Sequence, residues 1–217
     1  MDDTPATDSE SIVTVSVDDV ALEGELLVPD GATGLVLFAH GSGSSRHSPR
    51  NNFVAERLRS RGVGTLLFDL LTEAEDRTRE TRFDIDLLTD RLVGATDWVR
   101  HRDDVADLNV GYFGSSTGAA AALRAAAQPT TDVGAVVSRG GRVDMASDVL
   151  GDVTAPTLFI VGGNDHPVRE WNEESYEHLT CERSLEIVPG AGHLFEGDGQ
   201  LETVADHAAE WFADKLA

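Results

Sequence analysis

Gly111-Tyr-Phe-Gly-Ser-Ser-Thr-Gly118 is the stretch on which the fold turns, because it sets a Gly-x-Ser-x-Gly pattern at Gly114, Ser116 and Gly118 between two different periodicities. Upstream, residues 108–113 form a short apolar run of strand length. Downstream, residues 117–127 are almost all small, as a closely packed helix requires. A chain that passes from strand to helix within two or three residues must turn sharply. The serine at the apex then takes a strained backbone conformation that lifts its hydroxyl clear of the sheet, and flanking glycines give it room. Ser115 shifts the register by one and loses the second glycine, so Ser116 is the candidate nucleophile.

Outward from this turn, apolar runs recur at 35–39, 64–68, 133–137, 157–161 and 184–188, each of the length and uniformity of a strand buried on both faces. Helical patterns lie between most of them. Asn51 to Arg61 is one; Ile85, Leu88, Leu92, Ala95 and Val99 paint one face of another. Leu201, Val204, Ala205, Ala208, Trp211 and Phe212 paint a third. The looser alternation of 12–17 and 20–28 around Asp18-Asp19 predicts an antiparallel hairpin, closed off by Pro29-Asp30-Gly31. The expected architecture is α/β: a mostly parallel central sheet with an N-terminal antiparallel hairpin and helices on both faces. Residues 1–10, acidic and polar, read as a disordered tail, and 11–217 as a single domain, the size that 217 residues suit.

A serine hydroxyl needs a base at neutral pH, and the base needs a carboxylate to orient it. Asp165 follows the 157–161 strand through Gly162-Gly163-Asn164. His193 follows the 184–188 strand through Pro189-Gly-Ala-Gly192. Short glycine-rich turns after parallel strands deliver side chains to the carboxyl edge of the sheet, where ligands bind in open α/β folds. The chain order Ser116, Asp165, His193 is that of α/β-hydrolases. His166, adjacent to Asp165, is poorly placed to accept it as a partner. His101, His178 and His207 fall in helical patterns, and His40 reads as a structural hydrogen-bonding residue.

Taken together, His40-Gly-Ser-Gly43, Gly114-Ser-Ser-Thr-Gly118, Gly162-Gly-Asn-Asp165 and Gly190-Ala-Gly-His193 give the sequence a resemblance to the α/β-hydrolase superfamily. Within it, the chain resembles the dienelactone-hydrolase-like group without a lid domain, over residues 12–216. The resemblance implies an oxyanion hole made by the backbone amides of Thr117, just after the nucleophile, and of Ser42, in the turn after the 35–39 strand. Each such donor is worth about 10²–10³ in turnover. Dienelactone hydrolases proper use cysteine where this chain has Ser116, which favours a serine esterase over dienelactone cleavage. Only about 18 residues separate Val137 from Pro156, where larger relatives insert a cap, so an open site is expected.

Asp and Glu number 39 against 17 Lys and Arg, a net charge of −22, and the single lysine, Lys215, stands against 16 arginines. A field of that sign repels phosphate backbones, so nucleic-acid partners are not expected. Self-repulsion on this scale is relieved at about 1 M salt, where the Debye length is about 3 Å, which predicts a halophilic protein. No apolar run is long enough to span a bilayer and the N-terminal residues lack signal-peptide character, so a cytoplasmic protein is expected. One cysteine, Cys181, leaves no intramolecular disulfide, and neither a metal site nor a cofactor motif is visible. Arg139 and Arg142, after the 133–137 strand, are candidates for holding a substrate carboxylate, since a guanidinium suits bidentate binding. The alternative is pairing with Asp144. His47, beside the oxyanion turn and between Arg46 and Arg50, is a further candidate lining residue.

The sequence thus predicts a serine hydrolase acting on small carboxylic esters or related acyl compounds through an acyl-enzyme. Acyl transfer or perhydrolysis by the same triad, and a non-catalytic binding protein on the same fold, are the alternatives.

Overall fold

The structure, a computed structural model, describes residues 9–217. Eight strands form one sheet: β1 (Ser9–Val17), β2 (Val20–Val28), β3 (Gly34–Ala39), β4 (Val63–Phe68), β5 (Asn109–Ser115), β6 (Ala135–Arg139), β7 (Thr157–Gly162) and β8 (Arg183–Val188). Their order across the sheet is β1-β2-β4-β3-β5-β6-β7-β8. The β1–β2 and β2–β4 pairs are antiparallel, and every pair from β4 to β8 is parallel. The N-terminal hairpin forms as expected, turning at Asp18, whose φ of 49° lies in the left-handed region that aspartate tolerates. Strand β1 begins at Ser9, two residues inside the stretch read as a tail. Pairing of Ser9 with Val28 explains this, since β2 is long enough to template the extra residues. The rest of that stretch, 1–8, lies outside the described residues.

Six α-helices accompany the strands: α1 (Pro49–Arg59), α2 (Arg79–Arg82), α3 (Ile85–Arg100), α4 (Thr117–Ala126), α5 (Val168–His178) and α6 (Gln200–Lys215). Helix α1 starts where Ser48 caps the Asn51 N–H and Pro49 occupies the first turn; α3 starts where Asp84 caps Leu87. The sheet separates two cores. On one face Leu88, Leu92 and Ala95 of α3 pack with the α4 alanines against Leu35, Leu37 and Tyr112. On the other, Val54 and Leu58 of α1 and Ala205, Ala208 and Phe212 of α6 cover Val36, Phe38 and Val137. This two-sided burial is why β3, β4, β6 and β7 are buried along their whole length and mostly apolar rather than alternating. Among the described residues no helix is long and apolar enough to cross a membrane.

Candidate active site

Ser116 stands between β5 and α4 with φ 50° and ψ −122°, a conformation that L-residues rarely adopt. Steric exclusion around it explains its neighbours. A Cβ on Gly114 would lie 2.4 Å from Ala119 Cα, and one on Gly118 would lie 2.0 Å from the Ala39 carbonyl oxygen. Only hydrogen fits at both places, so glycine lets the turn press against β3. The turn is also held from β6: the Ser116 N–H donates to the Arg139 carbonyl (3.2 Å), and the Arg142 N–H donates to the Ser116 carbonyl (3.0 Å). The serine side chain makes no capping bond to the helix it precedes.

Asp165 and His193 meet at the same edge, with His193 Nδ1 2.8 Å from Asp165 Oδ2. A carboxylate accepts, so Nδ1 carries a proton. The acid's side chain is 8% exposed and the imidazole 39%, so the carboxylate is shielded from water while the ring is open to it. The two loops are tied together. The Asn164 N–H donates to the Ala191 carbonyl (2.9 Å), and Gly162 lies so close that a Cβ would sit 2.4 Å from that oxygen. The end of β6 reaches the imidazole: next after Arg139 comes Gly140, where a Cβ would be 3.4 Å from His193 Cε1 and Nδ1.

Across the edge, residues 41–44 form a turn closed by the Ser44 N–H to the Gly41 carbonyl (3.1 Å), with Gly43 at φ 72°. A Cβ on Gly41 would lie 3.0 Å from that of Ser116, so the turn abuts this serine. The two amides expected to form an oxyanion hole differ. Thr117 is the first residue of α4, where an N–H has no intrahelical acceptor. The Ser42 N–H instead donates to Thr117 Oγ1 at 2.9 Å. His40 is structural, as its sequence context suggests: buried, with Nε2 accepting the Leu70 N–H (3.0 Å) and Nδ1 donating to the Gly41 carbonyl (3.1 Å). Burial holds its pKa below the ordinary histidine value. A cleft of about 410 Å³ is lined by His40, Ser45, Arg46 and Asp69 among others; none of Ser116, Asp165 or His193 lines it.

The arginines separate sharply. Arg142 is occupied: its guanidinium makes two 2.9 Å bonds to Asp144 and stacks 4.6 Å from the Trp171 ring, and Asp144 raises its pKa. Arg46 pairs with Asp69 and Glu23, and Arg50 donates to the Leu194 carbonyl (2.9 Å) and to Glu196 (2.8 Å). Arg139 is buried, and its Nε and Nη1 have no partner among the described residues. Burial, and secondarily the like charge of Arg50, push its pKa down to about 10. His47 is exposed, and its backbone N–H, not its ring, is bonded, to Ser45 Oγ (3.2 Å). His166 engages Glu170 rather than Asp165. Gly140, whose place beside the imidazole no local pattern announces, escaped the sequence; Arg50, read there as part of a basic spot with Arg46 and His47, instead donates to the carbonyl of the residue after His193.

Residues 60–215 match the model of the dienelactone hydrolase family. The chain belongs to that family. This dienelactone hydrolase family member is 56% identical to the crystal structure of a dienelactone hydrolase from Anabaena variabilis, covering 97% of this chain and 99% of that one with a TM-score of 0.94. Est1E from Butyrivibrio proteoclasticus shares the fold at 17% identity, with a TM-score of 0.81 over 94% of this chain and 98% of that one. A Mycobacterium tuberculosis (strain H37Rv) protein provisionally named a phosphoribosyl transferase is 54% identical over 214 residues, 99% of this chain but 48% of that protein. The chain thus spans about half the length of the curated relatives it matches.

Proposed function

We propose that this dienelactone hydrolase family member is a serine hydrolase that cleaves carboxylic esters or related acyl compounds through an acyl-enzyme. The observation that carries this reading is the oriented His193–Asp165 pair at the edge where Ser116 is held in its strained apex. As the Ser116 Oγ–carbon bond forms, the hydroxyl proton passes to His193 Nε2, and the carbonyl electron pair moves onto oxygen. Asp165 holds the imidazole in the tautomer able to receive that proton. The Thr117 amide takes the oxyanion. Ser42 joins it once the developing charge, a stronger acceptor than a neutral hydroxyl, draws its N–H from Thr117 Oγ1. Collapse of the tetrahedral species expels the alcohol, protonated by His193. Water, deprotonated by the same imidazole, then attacks the acyl-enzyme and frees the acid.

Phosphoribosyl transfer, the activity in the name of the longer mycobacterial relative, has no counterpart in a serine–histidine–aspartate site, and half of that protein lies beyond the matched region. The test compares p-nitrophenyl acetate hydrolysis and fluorophosphonate labelling in the protein and in Ser116→Ala. Labelling and turnover that both vanish in the variant are expected; equal rates would remove Ser116 from the mechanism.

A further inference from the structure

Asn172 stands where a helix would ordinarily turn an apolar side chain inward. It lies on the buried face of α5, the helix that follows Asp165, and is fully shielded from solvent, with an Oδ1 that finds no donor among the described residues. Burying an amide oxygen unpaired is unfavourable, so a polar residue here calls for an explanation. Its Nδ2 supplies one. It donates to the Val168 carbonyl one turn back (2.8 Å) and to the Gly141 carbonyl (2.9 Å), and two acceptors on one end fix that end as the nitrogen. The first bond stays within α5. The second crosses to the turn after β6, where no other donor among the described residues reaches the Gly141 carbonyl.

That turn, Arg139-Gly140-Gly141-Arg142, touches both ends of the proposed proton transfer. The Arg139 carbonyl accepts the Ser116 N–H (3.2 Å), and the Arg142 N–H donates to the Ser116 carbonyl (3.0 Å). Between them lies Gly140, at φ 51°, where a Cβ would be 3.4 Å from the His193 ring. Two successive glycines have the widest conformational freedom a chain offers, so the turn does not hold its own shape. Nor can Gly141 be exchanged for a stiffer residue, since a Cβ there would lie 2.1 Å from Ser138 Oγ and 2.7 Å from Ala119 Cβ. The restraint comes from outside. The Ile160 carbonyl of β7 holds the Gly140 N–H (2.8 Å), and Asn172 holds the Gly141 carbonyl. Arg142, stacked on Trp171, ties the same turn to the same helix.

We infer that Asn172 is a positioning residue: by clamping the Gly141 carbonyl it sets the spacing between Ser116 and His193, and with it the passage of the hydroxyl proton to the imidazole. The inference rests on the serine hydrolase reading and deepens it, because it assigns a part in the reaction to a side chain that hydrogen-bonds to none of Ser116, Asp165 and His193. Without the clamp those three groups keep their chemistry, but the diglycine turn between the serine and the imidazole is free to drift. A displacement on the order of 1 Å, even one that starts away from the reacting atoms, costs about 10²-fold in turnover. Substrate binding does not depend on that spacing, so the loss falls on kcat and not on KM.

The experiment uses the full chain and three variants. Asn172→Leu fills the site without a donor, and Asn172→Ser leaves a hydroxyl too short to reach Gly141. Leu179→Ala removes a buried side chain at the far end of α5 and keeps the amide in place. With p-nitrophenyl acetate, kcat is expected to fall about 10- to 100-fold in either Asn172 variant while KM stays within about threefold. Leu179→Ala is expected to lower Tm, as a core truncation does, and to keep kcat within about twofold. An unchanged kcat in the Asn172 variants, a change confined to KM, or an equal fall of kcat in Leu179→Ala overturns the inference. One Asn172 variant that folds is enough for the comparison; failure of both to fold, with Leu179→Ala folded, would assign the amide a structural role and end the proposal. If the parent chain hydrolyses no ester, the serine hydrolase reading fails by itself and proton NMR decides the positioning role. The His193 Nδ1–H resonance, held by Asp165 in the parent, is expected to shift or be lost to exchange with water in the Asn172 variants and to persist in Leu179→Ala. A resonance that the Asn172 variants leave in place overturns the role.

Discussion

Ser116 lends itself to a stability measurement that probes the elbow independently of any substrate. Its φ of 50° and ψ of −122° place a Cβ where glycine alone is unstrained, and such strain costs on the order of 1–3 kcal/mol. Replacing it by alanine keeps the Cβ and therefore the strain. The lost hydroxyl takes no helix cap with it, because Ser116 makes none. Replacing it by glycine removes the strain but loosens the unfolded chain by roughly 0.5–1 kcal/mol. The net expectation is that Ser116→Gly is more stable than Ser116→Ala by about 0.5–2 kcal/mol. For a chain of this size that corresponds to a Tm difference of about 1–8 °C. Urea unfolding followed by circular dichroism, with both variants at one pH and salt concentration, measures it, and equal slopes would show that the unfolded states are comparable. If Ser116→Gly were equal to or less stable than Ser116→Ala, the apex would store no strain and the account of its flanking glycines would fail with it.

Asp165→Asn keeps the shape of the orienting residue but can present an amide to His193 Nδ1, favouring the wrong tautomer; ester turnover is expected to fall about 10⁴-fold with an unchanged circular dichroism spectrum. A loss under tenfold would mean that Asp165 does not orient the base. His40→Ala leaves the buried Leu70 N–H without an acceptor and is expected to cost about 1–3 kcal/mol in denaturant unfolding. Because burial lowers the folded-state pKa of His40, the unfolded chain binds the proton more readily. The stability this confers is complete above the ordinary histidine value of about 6.5 and is lost as pH falls below it toward the folded-state pKa. Unfolding midpoints at pH 7.5 and 5.5 should therefore drop more steeply in the parent chain than in His40→Ala; parallel drops would contradict that assignment. Finally, Tm should climb as KCl is raised from 0.1 to 2 M, because screening relieves the repulsion of 22 excess negative charges. A flat profile would show that the acidic surface imposes no such cost.

Much of this molecule was legible in sequence because the signals were local. The Gly114–Ser116–Gly118 pattern, the glycine turns before Asp165 and His193 and the apolar runs of β3 to β7 each declare themselves within a few residues. Their chain order supplied the rest of the proposed triad. Helix α5 was harder, and its composition explains why. Its buried residues are Val168, Asn172 and Ser175, so the face it turns inward is largely polar and gives only the weak helical pattern read at His178. The Asn172 amide instead donates to the Gly141 carbonyl (2.9 Å), a contact 31 residues distant that no local pattern announces. Nor did periodicity reveal that the hairpin would join the sheet through β4 rather than β3.

The two arginines of Arg139-Gly-Gly-Arg142 show most clearly where local signals stop. Sequence alone could offer both as anion binders or as partners of Asp144, since they differ only by position around two glycines. Strand alternation and packing buried Arg139 with its Nε and Nη1 unpartnered, while the glycine turn released Arg142 onto Asp144 and Trp171. The 75-residue contact between the Ser42 amide and the Thr117 hydroxyl arose in the same way. The sequence by itself determined which residue types stand at strand ends and which turns can be tight, because steric and hydrogen-bonding preferences there act between near neighbours. Tertiary structure alone decided which charges are paired and which amides are free, because those depend on atoms that only the closed sheet brings together.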